Sequence, residues 1–150
     1  MPEKDGSISI ENQQELQQSV MYLEYLKEQI VVLKEQFEIL DLAIKEHHQA
    51  IETLNDFENL GKNNQILVPI GADSLVFAKV VDHSKVIMNI GSGLAMEEKL
   101  ETAIEKLNSR IKRIEENKNK IQTTIENLQQ QATMLTSSIE EKYSSISKNE

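Results

Sequence analysis

The chain contains no cysteine and no tryptophan, and only 4% of its 150 residues are aromatic. Without cysteine it cannot form a disulfide framework or a thiolate metal site. No apolar run approaches the roughly 20 residues of a membrane-spanning helix, and the N-terminal residues do not resemble a signal peptide. These absences are consistent with a reducing, aqueous compartment, and we expect a cytoplasmic protein that does not bind membranes.

Apolar residues are also scarce. Only 39% of the chain is hydrophobic, which is below the roughly 45–50% of ordinary globular proteins. A further 27% is charged, and the formal net charge of -9 argues against nucleic acid as a partner, because a phosphate backbone would be repelled. This composition favours long solvated helices with a narrow apolar seam.

Glycine and proline are few, and their positions divide the chain. All five glycines and both prolines lie outside residues 10–60 and 97–146. Each of these segments could form one helix of about 75 Å, at a rise of about 1.5 Å per residue. Gly61 is predicted to end the first helix, and residues 1–9 and 147–150 are predicted to be flexible. Because the two helices match in length, we expect them to fold back as an antiparallel pair.

Both segments carry apolar heptads, which predict a coiled coil because a 3.5-residue period keeps the seam facing its partner. Only Ser19 and His47 interrupt the first seam, and the only charges in the second are Lys118 and Lys142. Lys118 is expected to extend its ammonium outward or to set the register. The seam of the first helix is Leu16, Ser19, Leu23, Leu26, Ile30, Leu33, Phe37, Leu40, Ile44, His47, Ile51 and Leu54. That of the second is Leu100, Ile104, Leu107, Ile111, Ile114, Lys118, Ile121, Ile125, Leu128, Ala132, Leu135, Ile139, Lys142 and Ile146.

The first helix has further apolar residues outside its seam. Two interpretations stay open for them. They are either a second helix contact or simple surface scatter, or they form a stripe that binds other proteins. The residues are Val20, Met21, Val31, Val32, Ile39 and Leu42.

Residues 65–96, between the helices, have the short apolar runs and turn signals of a β-structure. Pro69 indicates an edge strand or a bulge, because it has no ladder donor. Several runs are apolar on both faces, so this head should need further copies of itself to cover it. The predicted strands are roughly 66–70, 75–81, 86–90 and 94–96. The predicted subunit-interface residues are Val68, Ile70, Leu75, Val76, Phe77, Val80, Val86, Met88 and Ile90.

No catalytic, metal or cofactor constellation is recognisable, and we expect no enzyme activity. His47 and His48 are adjacent, so on a helix they point about 100° apart and cannot act as an i, i+4 ligand pair. Residues 91–93, Gly-Ser-Gly, join two predicted strands and indicate a tight turn rather than a phosphate loop. A lysine- and arginine-rich stretch of the second helix is interrupted by glutamates, and this pattern indicates a solvent-exposed helix face.

The head and the start of the second helix resemble a known family. The stretch 66–105, ILVPIGADSLVFAKVVDHSKVIMNIGSGLAMEEKLETAIE, is similar to archaeal alpha-class subunits of the prefoldin family. The resemblance is most specific in Val-Pro-Ile-Gly, in Lys-Val-Ile before Ile-Gly-Ser-Gly, and in Glu-Glu-Lys followed by Ala-Ile. The flanking helices match only as heptads. Beta-class subunits have one hairpin, and this insert is long enough for two.

The resemblance implies an α+β, predominantly α fold: a long antiparallel two-helix coiled coil whose two β-hairpins assemble into an intersubunit β-barrel. It implies a hexamer of two alpha and four beta subunits, which holds non-native proteins without ATP and transfers them to a group II chaperonin. The alternative from the residues is a self-assembling coiled-coil scaffold or filament. In an antiparallel pair the chain termini meet at the end away from the head, and we expect clients to bind there. The predicted tip residues are Ile8, Ile10, Leu16, Val20, Met21, Met134, Leu135, Ile139, Tyr143 and Ile146.

Overall fold

The structure is a computed structural model that describes residues 3–60 and 64–148, with side chains from residue 11 onward. The elements are α1 (Glu3–Asn59), β1 (Gln65–Gly71), β2 (Ser74–Lys79), β3 (Lys85–Gly91), β4 (Leu94–Lys99) and α2 (Leu100–Lys148). The predicted predominantly α architecture with two antiparallel hairpins between long helices is confirmed. Two compact units are distinguished, one within Met1–Asp41 and Asn117–Glu150 and the other within Leu42–Glu116.

The helix bounds differ from those predicted, by one or two residues at the C-terminal ends and by more at the starts. The first helix begins at Glu3 rather than at residue 10 and continues through Gly6, since one helical glycine costs only about 1 kcal/mol. The second begins at Leu100 rather than at residue 97. Residues 97–99 instead complete strand β4, because their backbone pairs with the start of β3. Gly61, the predicted end of the first helix, lies outside the described residues.

In the first unit the helices run antiparallel. The ammonium of Lys118 lies 2.7 Å from a carboxylate oxygen of Asp41, and that of Lys142 lies 3.7 Å from Glu15. Residues later in α1 therefore lie beside residues earlier in α2, which is the antiparallel arrangement. The core of this unit contains Leu26, Ile30 and Ile125.

The predicted seam is confirmed at every position but one. Every residue of both heptad series is buried or half-buried except Lys142, which is exposed. The two polar interruptions in the first helix are half-buried as well. His47 donates a hydrogen bond from Nδ1 to the Ala43 carbonyl at 2.6 Å, one helical turn earlier, so the imidazole is satisfied within its own helix.

In the second unit, helix ends and one hairpin share a core. Met88 of β3 packs with Ala103 and Leu107 of α2. Around them lie partly buried apolar residues from α1 and β3, namely Ala50, Ile51, Leu54 and Val86. Hairpin β3–β4 is therefore held on the helices by side chains from one of its faces.

The two hairpins are built alike. Strand β1 pairs with β2 from Gln65↔Lys79 to Gly71↔Ser74, and β3 pairs with β4 from Lys85↔Lys99 to Gly91↔Leu94. Each ladder shifts register just before its turn. In the first hairpin this shift lies between Pro69 and Gly71, as the proline predicted.

Each turn has two central residues with positive φ, which is the type I′ geometry that matches the twist of paired strands. In the first turn these are Ala72 (φ 48) and Asp73 (φ 56), and in the second Ser92 (φ 52) and Gly93 (φ 74). Gly71 and Gly91 precede the turns with φ 108, a conformation that favours glycine. The tight turn predicted at residues 91–93 is confirmed.

Candidate assembly and binding surfaces

Hairpin β1–β2 is apolar and exposed on both faces. Leu67 lies opposite Phe77, and the two side chains are 54% and 76% exposed. On the other face Val68 lies opposite Val76, and they are 37% and 41% exposed. Since burial of apolar surface yields roughly 25 cal/mol per Å², both faces favour association with further protein.

Hairpin β3–β4 has one covered face and one open face. Met88 is buried, and Val86 packs beside it against the helices. Glu98 shares this face and forms an ion pair with Lys106 of α2. Nearby, Arg110 donates to the Asn89 carbonyl at 3.1 Å.

The open face of β3–β4 mixes apolar and charged residues. Ile87 is 76% exposed, and its cross-strand partner is Glu97. Glu97 lies 3.8 Å from the ammonium of Lys85. This face is therefore more polar than either face of the first hairpin, which makes β1–β2 the stronger candidate for assembly.

The structure divides the predicted interface residues. Val86 and Met88 were expected to face other subunits, but they pack inside the chain because helix α2 covers their face of the hairpin. Val80 is half-buried. The remaining predicted residues are exposed and stay candidates: Val68, Ile70, Leu75, Val76, Phe77 and Ile90.

Five further head residues are exposed and apolar but were not among those predicted: Leu67, Val81, Ile87, Leu94 and Met96. For Leu67 and Ile87 the sequence carries a signal, because each adjoins a predicted interface residue in an apolar run and consecutive strand positions face opposite sides. Met96 lies opposite Met88 across the ladder, and Val81 follows the end of β2, so this signal does not apply to them.

The predicted tip residues also fall into two groups. Leu16, Leu135, Ile139 and Ile146 are half-buried seam residues. Four others are exposed on the helix surfaces: Val20 (39%), Met21 (68%), Met134 (74%) and Tyr143 (66%). The side chains of Ile8 and Ile10 lie outside the described residues. Of the predicted tip residues whose side chains are described, these four are therefore the exposed ones.

The link between the hairpins contains one perturbed carboxyl group. The backbone N–H and the hydroxyl of Ser84 both donate to Asp82 Oδ1, at 2.8 Å and 2.6 Å. These hydrogen bonds, the hydroxyl one first, lower the pKa of Asp82 below 3.8, and the nearby charge of Lys85 adds to the effect. The Ser84 carbonyl in turn accepts from the Leu100 N–H at 2.9 Å, so this turn also connects to the start of α2.

Within residues 11–60 and 64–148, no three histidine or acidic side chains come together as a metal site. The ring nitrogens of His83 are buried without a hydrogen-bond partner, but a single imidazole does not form a metal centre. No helix in the described part of the chain is both long and apolar enough to cross a membrane.

These features define a class of protein: a long-helix, coiled-coil protein with a β-hairpin head that exposes apolar surface. Comparisons with known proteins identify the family. A family model described as "Prefoldin subunit" matches residues 26–145. The chain belongs to the prefoldin family, which is a family of chaperones rather than enzymes.

Individual relatives agree. The chain is 29% identical to prefoldin subunit alpha of Archaeoglobus fulgidus, over 81% of this chain and 88% of that one. It is 30% identical to prefoldin subunit alpha of Methanococcus vannielii, over 90% of both. Among solved structures, it resembles one described as "filamentous PFD" from Methanocaldococcus jannaschii. The TM-score is 0.70 and the identity 25%, with 77% of this chain and 95% of that chain covered.

Proposed function

We propose that the chain is an alpha-type subunit of a cytoplasmic prefoldin oligomer that holds non-native proteins without ATP. The observation that carries the proposal is the exposure of apolar side chains at two kinds of place, on the hairpins and near the ends of the helices. Membership of the prefoldin family supports a chaperone role for them.

The head is proposed to assemble the complex. Hairpin β1–β2 exposes apolar residues on both faces, and a two-stranded sheet with open edges is only marginally stable alone in water. Beta-type prefoldin subunits are the proposed partners, in a hexamer of two alpha and four beta chains. Their hairpins and those of this chain would close into an intersubunit β-barrel, which removes the open edges.

The helix ends are proposed to hold the client. Met21 and Met134 are flexible, polarisable side chains that adapt to many apolar surfaces. Val20 and Tyr143 add exposed apolar area, and the net charge of -9 keeps such a surface soluble. An adaptable surface of this kind suits binding of many unrelated chains. Release to a group II chaperonin is the proposed next step.

The holdase proposal is tested with two matched variants of the full-length chain, each assembled with a beta-type partner. The first replaces Val20, Met21, Met134 and Tyr143 with serine. The second replaces the exposed residues Val31, Val32, Ile39 and Leu42 with serine. Light scattering measures aggregation of a chemically unfolded test protein, and sedimentation verifies assembly of both variants.

We expect the first variant to assemble but to lose protection against aggregation, the second to keep it, and ATP to change neither. Full protection by the first variant would overturn the location of the client site. If only the second variant lost protection against aggregation, the client site would instead lie on the exposed surface of α1 formed by Val31, Val32, Ile39 and Leu42.

A second candidate function is a structural one, a filament subunit. The similarity to the structure described as "filamentous PFD" favours it. Electron microscopy of the chain without partners distinguishes the two functions. Long filaments that fail to suppress aggregation would support the scaffold, whereas discrete particles that suppress it would support the chaperone.

A further inference from the structure

A second row of residues with heptad spacing runs along α1 beside the seam. Each member stands one position before a seam residue, so the row is rotated from the seam by about 100°. Tyr22 and Tyr25 stack at its start, with ring centroids 6.1 Å apart and an interplanar angle of 20°. We call this row the lateral stripe; it consists of Tyr22, Tyr25, Gln29, Val32, Gln36 and Ile39.

The lateral stripe is uncharged and largely exposed. Its apolar members Tyr22, Tyr25, Val32 and Ile39 are 50%, 51%, 46% and 65% exposed. Every charged residue between Tyr22 and Ile39 falls outside the stripe. On a helix so rich in glutamate and lysine, six successive positions at 3-4 spacing without a charge are not simple scatter.

The outer border of the lateral stripe is acidic. Each residue of the lateral stripe is preceded in the sequence by an exposed residue, and four of these six are glutamates. The six are Met21, Glu24, Glu28, Val31, Glu35 and Glu38. We call this the glutamate row. None of its four carboxylates forms an ion pair with a lysine or arginine in the described part of the chain.

The lysines of this segment lie on the other side of the helix. Lys27 and Lys34 each follow a seam residue, so they border the seam rather than the lateral stripe. The two sides of α1 therefore carry opposite charges. Carboxylates border the lateral stripe on its far side from the seam, and the ammonium groups lie on the opposite side of the seam. A partner on the stripe would meet only carboxylates at its outer edge.

The spacing indicates what shape of partner fits. A row that repeats every three and four residues stays in register with another helix along its whole length. An extended segment has a side-chain period of two, so its side chains would lose register with the lateral stripe after a few residues. Gln29 and Gln36 alternate with the apolar members and offer amide hydrogen bonds within the same contact.

We propose that the lateral stripe is a docking site for an amphipathic helix of a partner protein that carries lysine or arginine along one edge of its apolar face. The apolar residues of that helix cover Tyr22, Tyr25, Val32 and Ile39. Its cations face the glutamate row, where opposite charges on adjacent helices favour pairing and orientation. This inference concerns a folded helix and does not depend on the holdase activity.

The probe is a synthetic helical peptide with leucines at 3-4 spacing, lysines along one edge and a single tryptophan. Because the chain contains no tryptophan, fluorescence anisotropy of the peptide tryptophan reports binding directly. Two comparison peptides separate the contributions. One has glutamate in place of each lysine, and the other has a central proline that prevents helix formation.

Two double variants of the full-length chain test the surface. Val32→Ser with Ile39→Ser removes apolar contact, and we expect the peptide Kd to rise about tenfold. Glu28→Lys with Glu35→Lys reverses two charges of the glutamate row. We expect the peptide Kd to rise several-fold at low salt, which corresponds to the loss of exposed ion pairs. All four positions are exposed, so circular dichroism should show unchanged helix content.

Matched controls carry the same kinds of change elsewhere. Leu42→Ser removes an exposed apolar residue of α1 that lies outside the lateral stripe, and Glu115→Lys with Glu116→Lys reverses two exposed charges of α2. We expect both controls to bind the lysine peptide as the native chain does. The glutamate and proline peptides should bind weakly to every form.

Several outcomes overturn the proposal. Equal binding of the lysine and glutamate peptides would remove the role of charge, and equal binding of the proline peptide would remove the requirement for a helix. Full competition by an unfolded protein would make the stripe a client surface instead. A change in self-association of Val32→Ser with Ile39→Ser, without a change in peptide binding, would assign the stripe to a second copy of this chain.

Discussion

The ammonium of Lys118 in α2 lies 2.7 Å from a carboxylate oxygen of Asp41 in α1. The same ammonium is 4.8 Å from the centre of the Phe37 ring. Lys118 occupies a seam position, and a slip of one heptad along α1 would bring Lys34 or His48 to the place of Asp41. A charged seam residue that finds its partner in only one alignment sets the register. The ion pair with Asp41 is consistent with a role of Lys118 in setting the register.

The first prediction concerns this ion pair. Asp41→Asn should lower the free energy of unfolding by about 1 kcal/mol or more, because it leaves a half-buried ammonium without its counter-charge. Glu15→Gln is the matched control, since the pair of Glu15 with Lys142 is more exposed and 3.7 Å long. Its effect should stay within about 0.5 kcal/mol. Urea unfolding at low and high salt measures both, and equal losses would contradict a register role for Lys118.

The second prediction compares adjacent residues of α2. Ile111 is 5% exposed, so Ile111→Ala should cost roughly 2–5 kcal/mol, as for other buried large-to-small changes. Lys112 is exposed, and Lys112→Ala should change stability by no more than about 0.5 kcal/mol. Thermal unfolding of the two variants measures the difference. Similar losses at both positions would show that the heptad register is misassigned.

The third prediction separates assembly from folding in the head. Phe77→Ser should weaken the oligomer and leave the chain folded, because Phe77 is 76% exposed and is not part of the chain's own core. Met88→Ser should destabilise the chain itself, because Met88 is 6% exposed and packs on Ala103 and Leu107.

Sedimentation measures assembly of these two variants, and circular dichroism with thermal unfolding measures folding. If Phe77→Ser remained fully assembled, hairpin β1–β2 would not be the main association surface. A loss of folding equal to that of Met88→Ser would contradict the exposed placement of Phe77.

The fourth prediction concerns acid. The pKa of Asp82 is lowered below 3.8 by hydrogen bonds from Ser84, so the ionised carboxylate adds stability at pH values above 3.8. That contribution is lost as the pH falls through the lowered, folded-state value. The melting temperature of Asp82→Ala should therefore lie below that of the native chain at pH 7, and the gap should close in stronger acid.

Asp82→Asn serves as the control for this gap, because its side-chain oxygen can still accept from Ser84 without the charge. Its melting temperature should lie between those of the other two at pH 7. A gap that widens in acid would exclude stabilisation by the ionised carboxylate.

The sequence by itself determined the periodic features. The 3-4 spacing from Leu16 to Leu54 and from Leu100 to Ile146 predicted which side chains are buried, because a helix places such residues on one stripe whatever else surrounds it. The glycines at positions 71, 91 and 93 marked both turns, because they sit in conformations with positive φ that favour glycine. These are local properties of the backbone, and local residues suffice to specify them.

Only the tertiary structure decided the rest. Glu97, Glu98 and Lys99 are good helix formers, yet they extend β4, because hydrogen bonds to β3 outweigh a weak local preference. Val76 and Val86 look alike as strand residues, but one is exposed and the other packs on helices. Which face of a hairpin a helix covers depends on contacts between residues far apart in the chain, and a strand that is apolar on both faces does not specify that choice.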